Sequence, residues 1–274
     1  MTVGFIGTGN MSTAIVRGVL ADGSLTAAEI VVFDPDVAKR DALGAELGVQ
    51  VASSNEELVD LSDVVVLAIK PQVIPLVLPG LAAQIADRRR VVVSIAAGTP
   101  IARLETLLAT GTTAPDQAVV RVMPNVNAMI GAGMAAVCGN AAATAQDVEL
   151  VLGIFAAVGD AIELPESQFS TFTAVAGSAP AFAYLFIDSL ARGAVKAGMA
   201  KDLATRIAAQ TVLGSAQMVQ QSDLTPWDLI DTVCSPGGTT VAGLLALEDR
   251  GFLSTVVHGV TETIARDKEL SSGS

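Results

Sequence analysis

The chain has 274 residues, room for one large or two modest domains, and with 51% hydrophobic but only 4% aromatic residues its core is built from Ala, Val, Leu and Ile. Twenty-eight acidic against sixteen basic residues leave a net charge of −12, which excludes the basic footprint that nucleic acid demands. Mean hydropathy is +0.56, yet no run reaches the ~18 uninterrupted apolar residues of a membrane span, so the excess predicts apolar surface buried between subunits.

The first element is a short buried strand, Val3 to Ile6, followed by Gly7-Thr8-Gly9-Asn10-Met11-Ser12 and a helix continuing to Leu20. This is a G-x-G-x-x-small turn between strand and helix. Its first glycine makes the tight turn, its second admits a pyrophosphate to the helix N-terminus, and Ser12 is small enough for close helix–strand packing. The second strand, Ile30 to Phe33, ends at Asp34, where an acidic residue holds the ribose hydroxyls of a dinucleotide. Lys39 and Arg40, on the following helix, are the candidates for meeting a 2′-phosphate, although basic residues on an exposed helix are more often only solvated. A short strand at 49–52, a helix from Asn55 to Leu61, a strand at 64–69 stopping at Lys70-Pro71, a helix from Val73 to Ile85 and a strand at 91–95 before Ala96-Ala97-Gly98 come next. Val119 to Met123, closed by Pro124-Asn125, supplies one more strand. Uninterrupted β-branched strands alternating with helices predict a mainly parallel, doubly wound α/β sheet of the Rossmann type, which binds its ligand at the carboxyl ends of the strands. Ala68, Ile69, Lys70, Pro71, Ala96, Ala97 and Gly98 occupy such ends and are expected to border the cofactor.

Beyond Pro165 the strand signal ceases. Helices are expected over 167–197, 201–221, 225–233, 239–249 and 253–268, with Ser271–Ser274 as a disordered tail. The change of period divides the chain into residues 1–163 and an all-α part, residues 164–274. Gly177-Ser178-Ala179-Pro180 interrupts the first long helix, as a ligand-facing kink or as a plain structural break. His258, the only histidine, reads as a packing or surface residue, Trp227 as core or interface, and no cluster has metal-ligand spacing. Cys138 and Cys234 are too few and too far apart for a disulfide framework. With Met1 running straight into the first strand, no signal peptide is expected and the cytoplasm is the expected compartment.

The most informative stretch is Val233-Cys234-Ser235-Pro236-Gly237-Gly238-Thr239-Thr240. Pro and Gly stop one helix, and Gly238 or Thr239 caps the next, leaving free N–H groups and three hydroxyls at a positive helix end. That is a seat for a small carboxylate, although a capped turn without a ligand has the same spacing. A dinucleotide fingerprint beside a carboxylate seat suggests hydride transfer on a small acid. Oxidising a hydroxy acid needs a base that the helical half lacks, whereas a cyclic imine arrives already protonated, so the scarcity of titratable groups favours imine reduction.

With these motifs the chain resembles the pyrroline-5-carboxylate reductases from Gly4 to about residue 269. The resemblance rests on 5–11, Ala68-Ile69-Lys70-Pro71, Ser94–Gly98, Met123-Pro124-Asn125, Gly177–Ala181 and, most specifically, Val233–Thr240. It implies that Val233, Ser235, Gly238, Thr239 and Thr240 line the site for 1-pyrroline-5-carboxylate, with Thr240 as the catalytic hydroxyl. Asn55, Lys70, Pro71, Ala96, Ala97 and Gly98 would contact NADPH or NADH, and Asp34 tilts that choice toward NADH. It also implies a helical dimerisation domain and homodimers, often gathered into decamers. The chain departs from the family in three places: Val126-Asn127 replaces Thr-Pro, Ile230 replaces a basic residue, and Thr225 replaces a histidine. The rival readings are a hydroxyacid dehydrogenase of the 6-phosphogluconate type, for which Lys196 lies too near its helix end, and a non-catalytic nucleotide-binding paralogue.

Overall fold

A computed structural model describes residues 1–109 and 117–272. Within it the chain forms two compact units, Met1–Gly177 joined by the end of the last helix from Ile264, and Ser178–Thr263.

In the first unit, strands and helices alternate: β1 (Val3–Ile6), α1 (Asn10–Ala21), β2 (Ile30–Phe33), α2 (Val37–Leu47), β3 (Gln50–Val51), α3 (Asn55–Leu61), β4 (Val64–Leu67), α4 (Ile74–Ile85), β5 (Val91–Ser94), α5 (Ile101–Leu108), β6 (Ala118–Pro124), β7 (Gly133–Gly139), α6 (Ala145–Ala156) and β8 (Gly159–Glu163). They build one eight-stranded sheet in the order β3-β2-β1-β4-β5-β6-β7-β8. Every pairing is parallel except β6 with β7, so the expected mainly parallel sheet is found. The unbroken β-branched runs are explained by burial on both faces. Val64 and Val66 enter one apolar cluster while Val65 and Leu67 enter another on the opposite side, and Val91, Val93 and Val92 divide in the same way.

β7 was not expected. The sequence of β7, Gly133-Met134-Ala135-Ala136-Val137-Cys138-Gly139, is mostly small residues and carries little β-propensity. It is a strand because β6 and β8 pair with it on either side.

Three successive arginines ahead of β5 each find an acceptor. Arg88 pairs with Asp63 at 2.7 Å, Arg89 with Asp147 at 2.5 Å, and the buried Arg90 with Asp87 and the carbonyls of Val59 and Ser62. Hydrogen bonds from Arg88 and the Thr2 N–H hold the Asp63 carboxyl below the usual carboxylate range. Burial pushes Asp147 upward, but bonds from Arg89 and Thr144 outweigh it and leave that carboxyl lowered too. A carboxyl whose folded pKa is depressed contributes stability above its unfolded pKa and loses it as pH falls through the folded value. The urea midpoint is therefore expected to hold from neutral pH down to about 4.5 and to fall below that. Asp147→Asn should flatten the fall, and an unchanged acid limb in that variant would refute the assignment.

The strands end with β8 at Glu163, whereas the compact units divide at Gly177/Ser178. The reason is packing. Helix α7 (Phe169–Phe172) buries Phe169 and Phe172 with Ala136 of β7, which ties it to the first unit. The long helix expected over 167–197 is in fact α7, a π-helical turn at Thr173–Ser178, and α8 (Ala179–Lys196).

The second unit is wholly helical: α8, α9 (Lys201–Gln221), α10 (Pro226–Val233), α11 (Thr239–Glu248) and the first part of α12 (Phe252–Ser272). The last helix thus runs on into the stretch expected to be a disordered tail, and Gly273 and Ser274 lie outside the described residues. The buried apolar cluster of this unit contains only Ala191, Ala204 and Ala208. Leu185, Leu213, Met218, Leu245 and Val257 are all more than half exposed, and so is Trp227, which is therefore not a core residue. One stretch, Glu166–Lys196, is long and apolar enough to cross a membrane by length and composition. A helical unit with this much apolar surface and so small a core needs a partner face to be stable. Light scattering at micromolar concentration is expected to give at least twice the 27.8 kDa chain mass, and a monomeric mass would remove the claim.

Candidate active site

In the first unit the carboxyl ends of β2, β1, β4 and β5 lie side by side. Gly7 has φ +104°, and a Cβ there would stand 2.5 Å from the Ala68 carbonyl oxygen, so only glycine lets the β1 turn lie against the end of β4. The Gly7 N–H donates to the Phe33 carbonyl at 2.7 Å, which draws the end of β2 to the same place. Gly9 caps α1 without a side-chain hydrogen bond, and the space where its Cβ would lie is open. Ser12, buried, donates its hydroxyl to the Gly9 carbonyl at 3.0 Å, which packs α1 closely as expected. The N-terminal amides of α1, at Asn10, Met11 and Ser12, lie ahead of the helix's own carbonyls and beside the open space at Gly9, an arrangement that suits a pyrophosphate.

The Thr8 hydroxyl oxygen and the Asn55 side-chain oxygen are both buried without a hydrogen-bond partner. Orphaned polar atoms of this kind are costly unless a ligand satisfies them, and both belong to residues expected to touch the dinucleotide. Asp34 accepts the Thr8 N–H at 2.9 Å through Oδ2 and the Asp36 N–H at 2.9 Å through Oδ1. Lys70 and Pro71 are exposed just past β4, beyond Ala68 and Ile69. Past β5, Ala96 is buried, Ala97 exposed and Gly98 at φ +68°. The residues present therefore fit a nicotinamide dinucleotide.

A network that sequence reasoning missed braces this rim. Arg121, in mid-β6, is buried, lies 4.6 Å from the Phe169 ring centre and pairs with Glu166 at 2.8 Å. The same Glu166 oxygen accepts the Ile101 N–H at 2.8 Å, fixing the start of α5 behind Gly98. The signal was present: an arginine inside a run of buried β-branched residues demands a partner. Asn125, at the end of β6, is also buried. It accepts the Met134 N–H at 3.1 Å and donates to the Ala176 carbonyl at 3.0 Å. Four residues beyond Ala176 stands Pro180, which has no N–H to give that carbonyl. Asn125 supplies the missing donor, so the interruption in the long helix is built into the fold.

In the second unit, α10 opens with a capping box. Thr225 receives the Asp228 N–H at 3.3 Å, and its own N–H donates to Asp228 at 2.9 Å. Thr225, in the place of the family's histidine, thus secures the helix that leads into the loop. Ile230, the second departure in this helix, is half-buried. The loop itself is a turn in which Gly238 donates to the Ser235 carbonyl at 3.0 Å, with Gly237 at φ +70°. Pro at the second position and a left-handed Gly at the third are the requirements of a type II turn. A Cβ on Gly238 would lie 2.5 Å from the Ser235 hydroxyl, so the absence of a side chain holds that oxygen at the start of α11. Gly238, not Thr239, is the N-cap, and no side chain caps the helix. Val233, Ser235, Thr239 and Thr240 are exposed, and the Thr240 hydroxyl makes no hydrogen bond among the described residues. Val126 and Asn127 begin a 3₁₀ turn in the first unit, with Val126 45% exposed. His258 faces Glu262 on an exposed helix surface.

Residues 166–270 match the family model described as pyrroline-5-carboxylate reductase dimerisation, and residues 2–98 match that described as NADP oxidoreductase coenzyme F420-dependent. A pyrroline-5-carboxylate reductase of Synechocystis is 38% identical over 98% of this chain and 97% of its own length. That of Escherichia coli K12 is 37% identical over 98% of each. A dinucleotide turn over parallel strand ends defines the class of a nicotinamide-dependent oxidoreductase with a Rossmann-type sheet. The solved pyrroline-5-carboxylate reductase of Coxiella burnetii superposes with a TM-score of 0.92 at 31% identity over 98% of both chains. That of Plasmodium falciparum, solved with NADP bound, superposes at 0.85 and 31% identity over 99% of this chain and 98% of its own. The chain belongs to the pyrroline-5-carboxylate reductase family, whose members are NAD(P)H-dependent oxidoreductases acting on a C=N bond. Its helical unit lies within the dimerisation match, so the exposed apolar faces described above belong to a homo-oligomer.

Proposed function

We propose that the chain reduces 1-pyrroline-5-carboxylate to L-proline, with Ser235, Gly238 and Thr239 seating the carboxylate and Thr240 orienting the ring nitrogen. The observation that carries this reading is the uncapped start of α11, where the Ser235–Gly238 turn leaves free amides and hydroxyls at the positive end of a helix. Val233, 62% exposed just before the turn, supplies apolar contact for the pyrroline ring. When bound, the reduced nicotinamide supplies a hydride to the C=N carbon. The imine nitrogen arrives protonated, so hydride addition gives the product amine without a proton donor from the protein, which suits a loop that carries hydroxyls and no histidine. The Thr240 hydroxyl accepts from that N–H and fixes which atom of the ring faces the donor. Gly7 to Ser12 hold the pyrophosphate, Asp34 the adenosine ribose, and Thr8 and Asn55 find in the dinucleotide the partners they lack in the chain. The strand-end residues Ala68 to Pro71 and Ala96 to Gly98 border its nicotinamide half.

Dimers gathered into decamers are the assembly we favour, and the cytoplasm is the compartment, consistent with two cysteines that are both free. The test is the loss of reduced-nicotinamide absorbance on adding 1-pyrroline-5-carboxylate, with proline identified as the product. Turnover with 6-phosphogluconate instead would favour the hydroxyacid reading, and cofactor binding without turnover on either would favour a silent paralogue.

A further inference from the structure

The dinucleotide seat proposed above is the basis for a finer assignment. We propose that Asp34 makes its adenosine end selective for a free ribose 2′-hydroxyl, so that NADH rather than NADPH is the preferred reductant.

The first support is that the Asp34 carboxylate is pinned. Its two oxygens accept the Thr8 and Asp36 N–H groups, each at 2.9 Å, so turning it away would strip both donors of their partner, one of them on the buried Thr8. Each oxygen retains a lone pair, which can accept from a hydroxyl. A phosphate oxygen has no proton to offer it and meets a charge of its own sign.

The second support is the setting. The β2–β3 register, Val31 with Gln50 and Val32 with Val51, runs on to bring Ser53 level with Asp34. Residues 34–41 and 53–57 together hold five carboxylates, Asp34, Asp36, Asp41, Glu56 and Glu57, against two cations. Hydrogen bonds from Ser53 hold the Glu57 carboxyl below its usual range, so it is charged at neutral pH. Lys39 and Arg40, the residues suited to a 2′-phosphate, are already engaged. Lys39 pairs with Asp36 at 3.1 Å, and Arg40 pairs with Asp41 at 3.2 Å while its guanidinium lies 5.5 Å from the Phe33 ring centre. A phosphate monoester carrying nearly two negative charges would enter a rim with a net excess of the same sign.

The test is calorimetric titration of the full chain with NADH and with NADPH, without substrate, at low and high salt. NADH should bind about tenfold or more tightly than NADPH at low salt, and the gap should narrow as salt screens an exposed repulsion. Asp34→Ser should close the gap from both sides, weakening NADH and strengthening NADPH. Should that variant not fold, the salt series on the unaltered chain decides alone. NADPH binding as tightly as NADH, a gap indifferent to salt, or NADPH affinity lost in Arg40→Ala overturns the assignment. If neither dinucleotide binds below millimolar concentration, the seat itself is wrong and the selectivity falls with it.

Discussion

Thr240→Ala is expected to lower turnover on 1-pyrroline-5-carboxylate by roughly ten- to a thousandfold, the scale of one lost orienting or stabilising hydrogen bond. The competing explanation of this residue is that it caps α11, which predicts a loss of about 1 kcal/mol in stability with kinetics intact. The geometry separates the two, because the cap is Gly238 and the Thr240 hydroxyl has no hydrogen bond among the described residues. The melting temperature should therefore barely move while kcat falls. Cofactor affinity should be unchanged, since the dinucleotide seat lies wholly in the first unit. Thr240→Ser, which keeps the hydroxyl and loses only a methyl, should retain most activity. A stable Thr240→Ala protein with unimpaired turnover would falsify the catalytic role.

The two glycines of the dinucleotide turn should fail in opposite ways. Gly7→Ala forces a side chain into φ +104° with its Cβ 2.5 Å from the Ala68 oxygen, so the fold itself has to shift. Its expected cost is roughly 3 kcal/mol or more, read as a lower urea midpoint. Gly9 has an ordinary φ of −74° and open space around its missing Cβ, so Gly9→Ala should cost no more than about 1 kcal/mol. The added methyl instead occupies the approach to the α1 amides. Dinucleotide affinity should fall roughly ten- to a hundredfold in calorimetry, the scale of one or two charge-assisted hydrogen bonds. Unchanged affinity in Gly9→Ala would mean that the pyrophosphate lies elsewhere.

Much of this was legible in the residues because the relevant physics is local. Gly-x-Gly after a buried strand, Pro-Gly-Gly before a helix and β-branched runs between helices each constrain a few neighbouring residues, and those elements occur where expected. α9 at Lys201–Gln221 matches the expected span residue for residue. Where elements depend on distant partners, the pattern was silent. β7 has little propensity of its own and is a strand only because β6 and β8 flank it. The broken helix at 173–178 announced itself through Gly177 and Pro180, but not that Asn125, 51 residues before Ala176, supplies the donor that Pro180 lacks.

The same division runs through the candidate site. The sequence by itself placed hydroxyls and backbone amides, with no histidine, in the turn before α11. It also determined that a dinucleotide turn would precede an acidic residue at the end of β2. Only the tertiary structure decided that both oxygens of Asp34 would be held by backbone amides, and that the Thr8 and Asn55 oxygens would be left buried without partners. Only there does Glu166 join Arg121 to the start of α5. Side-chain identity sets which chemistry a position can offer, whereas hydrogen-bond satisfaction and burial depend on which segments fold back against it, and those meetings join residues far apart in the chain.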